Sequence, residues 1–523
     1  MKATPLSFKK AVALELWRRQ QAITCKEHPL RQLFWECTLR CDLRCRHCGS
    51  DCKMLPENKD MPKEDFLRVL DSIAQKTDPH KVFVVISGGE PLMRRDLEVC
   101  GRAIYEKGFP WGMVTNGLHL TPQRWQGLLK AGIHSMSISL DGLEEAHNWM
   151  RGNEKSFQMV SQALDMLVAK SDFLFDIVTC VNRRNYATLD EIKDFLITKG
   201  VKRWRLFTVF PVGRAALDPM MRLTDEEFRG VFDYIKRTRE EGRIRVDYGC
   251  EGFLGNYEGE VRSRLFSCQA GITVGSVMAD GAIGACASIR ADYHQGNIYE
   301  DDFMDVWENR YLPYRNREWM KTDECATCKY FRYCRGNGMH LRDKEGKLLF
   351  CHLHRLNSEN NKREYHMKVR FNYWYNAVLT VLLSMLGYSC SLSDPDGPVE
   401  YGTPSANFEV KGCVTDEAGV PVQGIKTLVK LVETYGNKVH VEGMDSVLTS
   451  ESGNYQLKYG GSAFDRRMKL IVKDIDGPAN GGQFKSDTLD IDFDKAVKVK
   501  NGDGHWFMGD YEITKNVQLK KEQ

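Results

Sequence analysis

Net charge and long apolar runs are both scarce in these 523 residues. Lysine plus arginine exceed aspartate plus glutamate by only 74 − 71 = 3. That balance excludes nucleic acid or an acidic membrane surface as the main partner. The longest apolar core, the ten residues Ala377–Leu386, is short for a spanning helix of ~20, and a membrane contact through the 367–390 segment stays open. The first thirty residues also lack the core and cleavage junction of an export signal. Phe8–Arg19 instead has helical spacing with charges throughout, which predicts an amphipathic helix covering the body of the protein. A membrane-surface helix is the weaker alternative. With 42 % hydrophobic and 28 % charged residues, disorder and fibrous repeats are excluded.

Cysteine is abundant. There are 17, of which 15 fall within residues 1–366 and only Cys390 and Cys413 come later. A disulfide scaffold would be far smaller, so a cluster this dense points to metal binding. At ~150 residues per domain the chain holds three or four domains.

From residue 31 to about 211, β-type runs alternate with helical ones. Strands are expected at Leu33–Glu36, Lys81–Ser87, Trp111–Thr115, Ser135–Leu140, Phe175–Val181 and Arg203–Phe210. Helices are expected at Lys63–Gln75, Leu97–Lys107, Pro122–Ala131, Ser156–Ala169 and Leu189–Thr198. Six β-then-α units imply a parallel α/β sheet, either a partial (β/α)6 barrel or a doubly wound sheet.

A second beginning lies inside the chain. Met367-Lys368-Val369-Arg370 is followed by the apolar stretch Ala377–Leu386, then Gly387-Tyr388-Ser389-Cys390. This is the layout of a secretory signal, and it resembles a bacterial lipoprotein signal with Cys390 as the lipidated residue. A buried core helix is the alternative reading. Beyond it, Phe408–Val414, Ile425–Val432, Tyr455–Tyr459, Lys469–Val472 and Val517–Leu519 alternate around turns such as Asp476-Gly477. They predict a small antiparallel β-sandwich. The expected segments are therefore 1–30 (helical extension), 31–240 (barrel), 241–366 (cysteine-rich extension), 367–390 (signal or anchor) and 391–523 (β-sandwich).

Cys41, Cys45 and Cys48 form a C-x3-C-x2-C triad directly after the first strand, at the mouth where βα loops build active sites. Three thiolates on a short loop suit an iron–sulfur cluster with one iron left open; zinc normally takes four ligands at different spacing. The next three strands end in Ser87-Gly88-Gly89-Glu90-Pro91, Thr115-Asn116-Gly117 and Ser139-Leu140-Asp141-Gly142. This order resembles the radical S-adenosylmethionine (SAM) superfamily. The resemblance implies a [4Fe-4S] cluster on Cys41, Cys45 and Cys48, with Gly89 and Glu90 toward the SAM amino group and Ser139 and Arg151 toward its ribose and carboxylate. Cys37 and Cys52 flank the triad but are expected to be structural, like Cys25, Cys100 and Cys180.

Further on, Cys268, twelve residues, Gly281, four residues and Cys286 precede Cys325-x2-Cys328-x5-Cys334 and finally Cys351. The pattern, with Pro211-Val212-Gly213-Arg214-Ala215, resembles the SPASM extension of peptide-modifying radical SAM enzymes. It implies two auxiliary clusters, one on Cys325, Cys328, Cys334 and Cys351, the other on Cys250, Cys268 and Cys286. The family has a cysteine four positions after Cys334, where this chain has Gly338. His340 is a candidate substitute; an open iron and a structural histidine are the alternatives.

The resemblance further implies that a reduced cluster cleaves SAM to a 5′-deoxyadenosyl radical, which abstracts hydrogen from a peptide or protein. The electron would come from a donor such as flavodoxin or ferredoxin. Sulfatase maturases carry an aspartate after the second SPASM cysteine; here it is Ala287, which disfavours formylglycine formation. The tail, with Lys411-Gly412-Cys413-Val414-Thr415-Asp416, resembles the lipoprotein of the radical SAM/lipoprotein system, and the first half resembles its partner enzyme. The enzyme would then be cytoplasmic and residues 391–523 exported and anchored at Cys390, the substrate being that lipoprotein or another peptide. A maturase-like or small-molecule radical SAM enzyme, and a non-catalytic electron-transfer or scaffold protein, are the rival readings.

Overall fold

The computed structural model describes residues 6–357 apart from 51, 55, 57 and 58, and residues 405–522 apart from 436, 437, 463–466 and 503–506. The expected signal segment 367–390, with Cys390, lies outside the described residues.

After helix α1 (Phe8–Glu27) come seven parallel strands, β1 (Gln32–Thr38), β2 (Phe83–Gly88), β3 (Trp111–Thr115), β4 (Ile133–Ser139), β5 (Leu174–Val181), β6 (Arg203–Thr208) and β7 (Arg245–Tyr248). Helices connect them: α2 (Lys63–Ala74), α3 (Leu97–Glu106), α4 (Pro122–Lys130), α5 (Glu144–Arg151), α6 (Ser156–Val168), α7 (Leu189–Thr198) and α8 (Asp225–Glu241). The strands lie side by side in chain order, with none of the order reversal that marks a doubly wound sheet. The barrel alternative therefore holds, with a correction. A seventh parallel strand, β7, falls within the stretch expected to be the cysteine-rich extension.

The barrel does not close. The second neighbour of β1 is β8 (Val274–Val277), running parallel to it, and the antiparallel strands β9 (Ala282–Gly284) and β10 (Gly296–Asn297) follow. Every residue of β1 is buried, as expected for a strand covered on both faces. Trp35 stacks on Phe66 of α2 at 4.3 Å on the outside, while Phe34 joins Phe83, Val85 and Val274 in a separate inner cluster. Helix α8 is fixed at its start by a capping box between Thr224 and Glu227, and ends at Gly242 in the left-handed region.

Helix α1 differs from the amphipathic expectation, since only Leu14 and Gln21 on it are buried. Polar anchors hold it instead. The Trp17 indole donates to the Phe266 carbonyl at 3.0 Å, and Gln21 accepts from Gln269 at 2.8 Å. Leu14 packs with Phe253, Phe266, Tyr330, Tyr333 and Leu353.

The tail forms two sheets over one core. One holds β11 (Ser405–Thr415) between β14 (Asn454–Ser462) and β18 (Phe507–Thr514), with β17 (Val497–Asn501) at its edge and β19 (Val517–Gln518) beside β11. The other runs β13 (Lys438–Leu448), β12 (Lys426–Tyr435), β15 (Arg467–Lys473), β16 (Asp487–Asp492). Phe408, Val429, Leu457, Leu470 and Ile491 from both sheets share the core, which makes it a sandwich. The antiparallel expectation is corrected at β11, which runs parallel to both β18 and β19.

Candidate functional site

The loops after β1 and β2 are built against each other. Gly89 donates its N–H to Thr38 O at 2.8 Å and Glu90 its N–H to Arg40 O at 2.8 Å. A Cβ at Gly88 would lie 2.2 Å from Thr38 O, and one at Gly89 2.2 Å from Arg40 O. Gly88 also has φ +133°, a conformation that L side chains rarely adopt. The glycines thus admit the backbone of the cysteine loop itself. The Glu90 carboxylate is buried and already accepts from Thr115 Oγ1 (2.7 Å), Asn116 N (2.7 Å) and Leu92 N (3.0 Å). Burial raises its pKa to about 7, against those donors. It ties the end of β2 to the end of β3.

The cysteine loop starts at this junction. Cys41 N–H donates to Lys53 O at 2.9 Å and Arg46 N–H to Met150 O at 2.9 Å, so the loop is pinned at both sides. Cys41, Cys45 and Cys48 are free thiols. Burial pushes Cys41 up to about 12, with the charge of Cys45 adding to the effect, and Cys45 is raised by burial as well. Cys48 goes the other way, to about 6, chiefly because the Cys52 thiol donates to it. Among the described residues no three donor side chains stand at ready-made metal spacing. The donor chemistry nonetheless fits a cluster: three neighbouring free thiols, one buried and two half-buried, on one short loop.

After β4 the chain builds a buried ionic corner. Ser139 ends the strand, half-buried. Asp141, fully enclosed, meets Arg151 Nη2 at 2.7 Å, and Arg151 Nη1 reaches Cys45 Sγ at 3.7 Å. Asp141 is held below the usual carboxylate range because Arg151, His47 and His147 outweigh its desolvation. His147 accepts from Asp141 N at 3.0 Å and pairs with Ser156 Oγ at 2.9 Å, and burial lowers its pKa to about 3. Arg151, expected from the resemblance at the SAM carboxylate, here meets an internal carboxylate and a cluster cysteine.

Of the auxiliary residues, Cys325, Cys328, Cys334 and Cys351 all line one small pocket, open to solvent at its mouth. Burial raises Cys334 strongly, reinforced by the charges of the other three, so the four thiols form one electrostatic group. That is the donor set a [4Fe-4S] cluster takes. Cys286 is pushed up to about 11 by burial, with Cys268 as a charged neighbour, while Arg317 and backbone donors hold Cys268 down despite its desolvation. Cys250 comes two residues after β7, beside Glu251. Ala287 packs on the inner cluster of Phe34, Phe83, Val85 and Val274.

Sequence reasoning missed two buried charge sites. Glu36, on β1, accepts from Arg290 Nη1 at 2.8 Å and from Ala279 N at 3.2 Å. Arg290, half-buried, is held in its charged form by Glu36 and by the Cys52 and Cys48 thiols, against its desolvation. A charge within the apolar run Leu33-Phe34-Trp35-Glu36 was the available signal. Glu251 accepts from Thr208 Oγ1 at 2.6 Å and from the Tyr248 hydroxyl. The same hydroxyl pairs with His352 Nε2 at 3.1 Å, joining the ends of β6 and β7 to the residue after Cys351.

Comparison with known proteins places these features. The radical SAM superfamily matches residues 35–196, and the SPASM iron–sulfur cluster-binding domain matches residues 268–329. The mycofactocin maturase MftC of Mycobacterium tuberculosis is 31 % identical over 318 residues, 59 % of this chain and 78 % of its own length. An AdoMet-dependent heme synthase of Methanosarcina barkeri is 28 % identical over 328 residues, 58 % of this chain and 90 % of its own. The structure of anSMEcpe with bound AdoMet and the Cp18Cys peptide superimposes with TM-score 0.50 at 19 % identity, over 68 % of this chain and 99 % of that one, and shows the fold. The chain belongs to the radical SAM superfamily, as an enzyme with a [4Fe-4S] cluster, SAM and a SPASM iron–sulfur domain.

Proposed function

We propose that this enzyme modifies a peptide or protein by radical hydrogen abstraction, and that the β-sandwich at 391–523 is a candidate substrate. The observation that carries this is the convergence of four cysteines on one pocket beside an unclosed barrel. Because β1 pairs with β8 and, among the described residues, β7 has only β6 as a strand neighbour, the inner face stays open along one side, as an extended chain needs. The fold is that of an enzyme solved with a peptide bound.

Cys41, Cys45 and Cys48 would hold the SAM-binding cluster, which supplies one electron to cleave SAM. Glu90 keeps the loops after β1, β2 and β3 in register. Gly89 and Glu90 would hold the SAM ammonium end, and Ser139 would hold the ribose. Arg151 keeps its charge beside Cys45. Phe34, Phe83, Val85 and Ala287 give the inner face an apolar wall that excludes water from a radical. Ala287 offers no base at the position where sulfatase maturases carry an aspartate, which disfavours formylglycine formation.

A second reading is a small-molecule substrate, favoured by the similarity to the Methanosarcina barkeri heme synthase over 90 % of that protein's length. Anaerobic reconstitution with SAM and dithionite separates the readings. The peptide reading expects 5′-deoxyadenosine together with a mass change confined to residues 391–523 or an added candidate peptide. Product formation only with a tetrapyrrole would overturn it. We also assign the enzyme half to the cytoplasm and residues 391–523 to export with Cys390 as anchor. Native product found as a single unprocessed 60.0 kDa band would refute that assignment.

A further inference from the structure

The first auxiliary set lacks a cysteine at position 338. We propose that the His340 imidazole closes that cluster in place of the missing thiolate. The proposal rests on reading Cys268 and Cys286 as ligands of the same cluster.

Three observations carry it. The imidazole occupies the room a side chain at 338 would take. A Cβ built on Gly338 would lie 2.7 Å from His340 Cε1 and 3.0 Å from Nδ1. The same Cβ would also lie 2.7 Å from Glu251 O, so glycine at 338 admits both that carbonyl and the ring. Second, the turn that carries the ring closes on the right sulfur. Leu341 N–H donates to Gly338 O at 3.0 Å, and between them the Met339 N–H is directed at the Cys268 thiol, whose charged neighbour is Cys286.

Third, the ring is otherwise unemployed. His340 is 8 % exposed and lies 5.1 Å from the Phe210 ring, yet neither of its nitrogens has a hydrogen-bond partner among the described residues. By contrast His147 is bonded at both ring nitrogens, to Asp141 N and Ser156 Oγ, and His352 at Nε2 to the Tyr248 hydroxyl. Imidazole is an accepted iron–sulfur ligand. A neutral ligand in place of a thiolate leaves the cluster less negative and makes it easier to reduce.

The test uses the full chain with Cys41, Cys45 and Cys48 changed to alanine, so that only auxiliary clusters can assemble. Reconstituted with iron and sulfide, it should hold about eight irons. With 15N-histidine, dithionite-reduced protein should show a strongly coupled histidine nitrogen by pulsed EPR. The coupling should vanish in His340→Ala and in His340→Cys, and His340→Cys should keep its iron while its midpoint potential moves negative. About eight irons with no strongly coupled nitrogen overturns the assignment, as does a coupling that survives in His340→Ala. About four irons would refute the first auxiliary cluster and the assignment together. The unsubstituted His340 measurement needs no change at that position to be tolerated, and none of these readouts depends on the substrate.

Discussion

Arg151 directs a guanidinium N–H at the sulfur of Cys45 across 3.7 Å, in a corner it shares with the buried carboxylate of Asp141. A donor to a cluster thiolate stabilises the reduced, more negative state. Arg151→Met should therefore move the potential of the SAM-binding cluster negative, read by EPR titration. It should also cost about 3–5 kcal/mol of stability, because Asp141 is left charged and unpaired. An unchanged potential with weaker SAM binding would place Arg151 on the substrate side alone.

Gly89→Ala tests the contact between the two loops. Its Cβ would fall 2.2 Å from Arg40 O, and backbone cannot yield as a flexible side chain does. The variant should lose about 1–3 kcal/mol and assemble less of the cluster on the adjoining Cys41. Iron content and SAM cleavage measure this; wild-type loading would show that the loops can part at no cost.

Cys334→Ala should remove one auxiliary cluster, lowering iron by about four atoms per chain. SAM cleavage without substrate should persist, since the Cys41 loop has its own supports. Loss of both activities together would show that the two sites assemble as one.

His147 makes the chain acid-sensitive in a defined window. Its folded pKa, about 3, lies below the ordinary 6.5, because burial disfavours its charged form. The unfolded state therefore binds the extra proton first. The stability due to neutral His147 is complete above pH 6.5 and is lost as pH falls toward 3. His147→Gln should flatten the slope of unfolding free energy in that window by up to about 1.4 kcal/mol per pH unit. Urea midpoints of reduced apoprotein across the window would measure it; parallel wild-type and variant curves would refute it.

Much of the barrel was legible because its strands are apolar runs and its helices have clean boundaries. Trp111–Thr115 and Leu189–Thr198 appear with the limits their sequences suggest. β7 is only four residues, Arg245-Val246-Asp247-Tyr248, and its charges hide it. In the tail, β17 went unread because all five of its residues are exposed, so no face of it needs to be apolar. At the site, residue types revealed the thiols but not their supports. Glu251 and His352 are adjacent in sequence to cysteines, and only folding shows that Tyr248 joins them. The glycines of the Gly-Gly-Glu turn suggest close approach, but the sequence does not say to what; the answer is the neighbouring loop.

Helix α1, read from the ribosome's side, sets an order of assembly. Leu14 shares its packing with Tyr330, Tyr333 and Leu353, and Cys328, Cys334 and Cys351 border the same contacts. The earliest helix to emerge therefore waits for almost the last piece of the enzyme half before it can dock. Docking of α1 therefore covers one flank of the auxiliary thiols late, while the pocket that Cys325, Cys328, Cys334 and Cys351 line keeps its own mouth to solvent, so iron has a way in that the helix does not close.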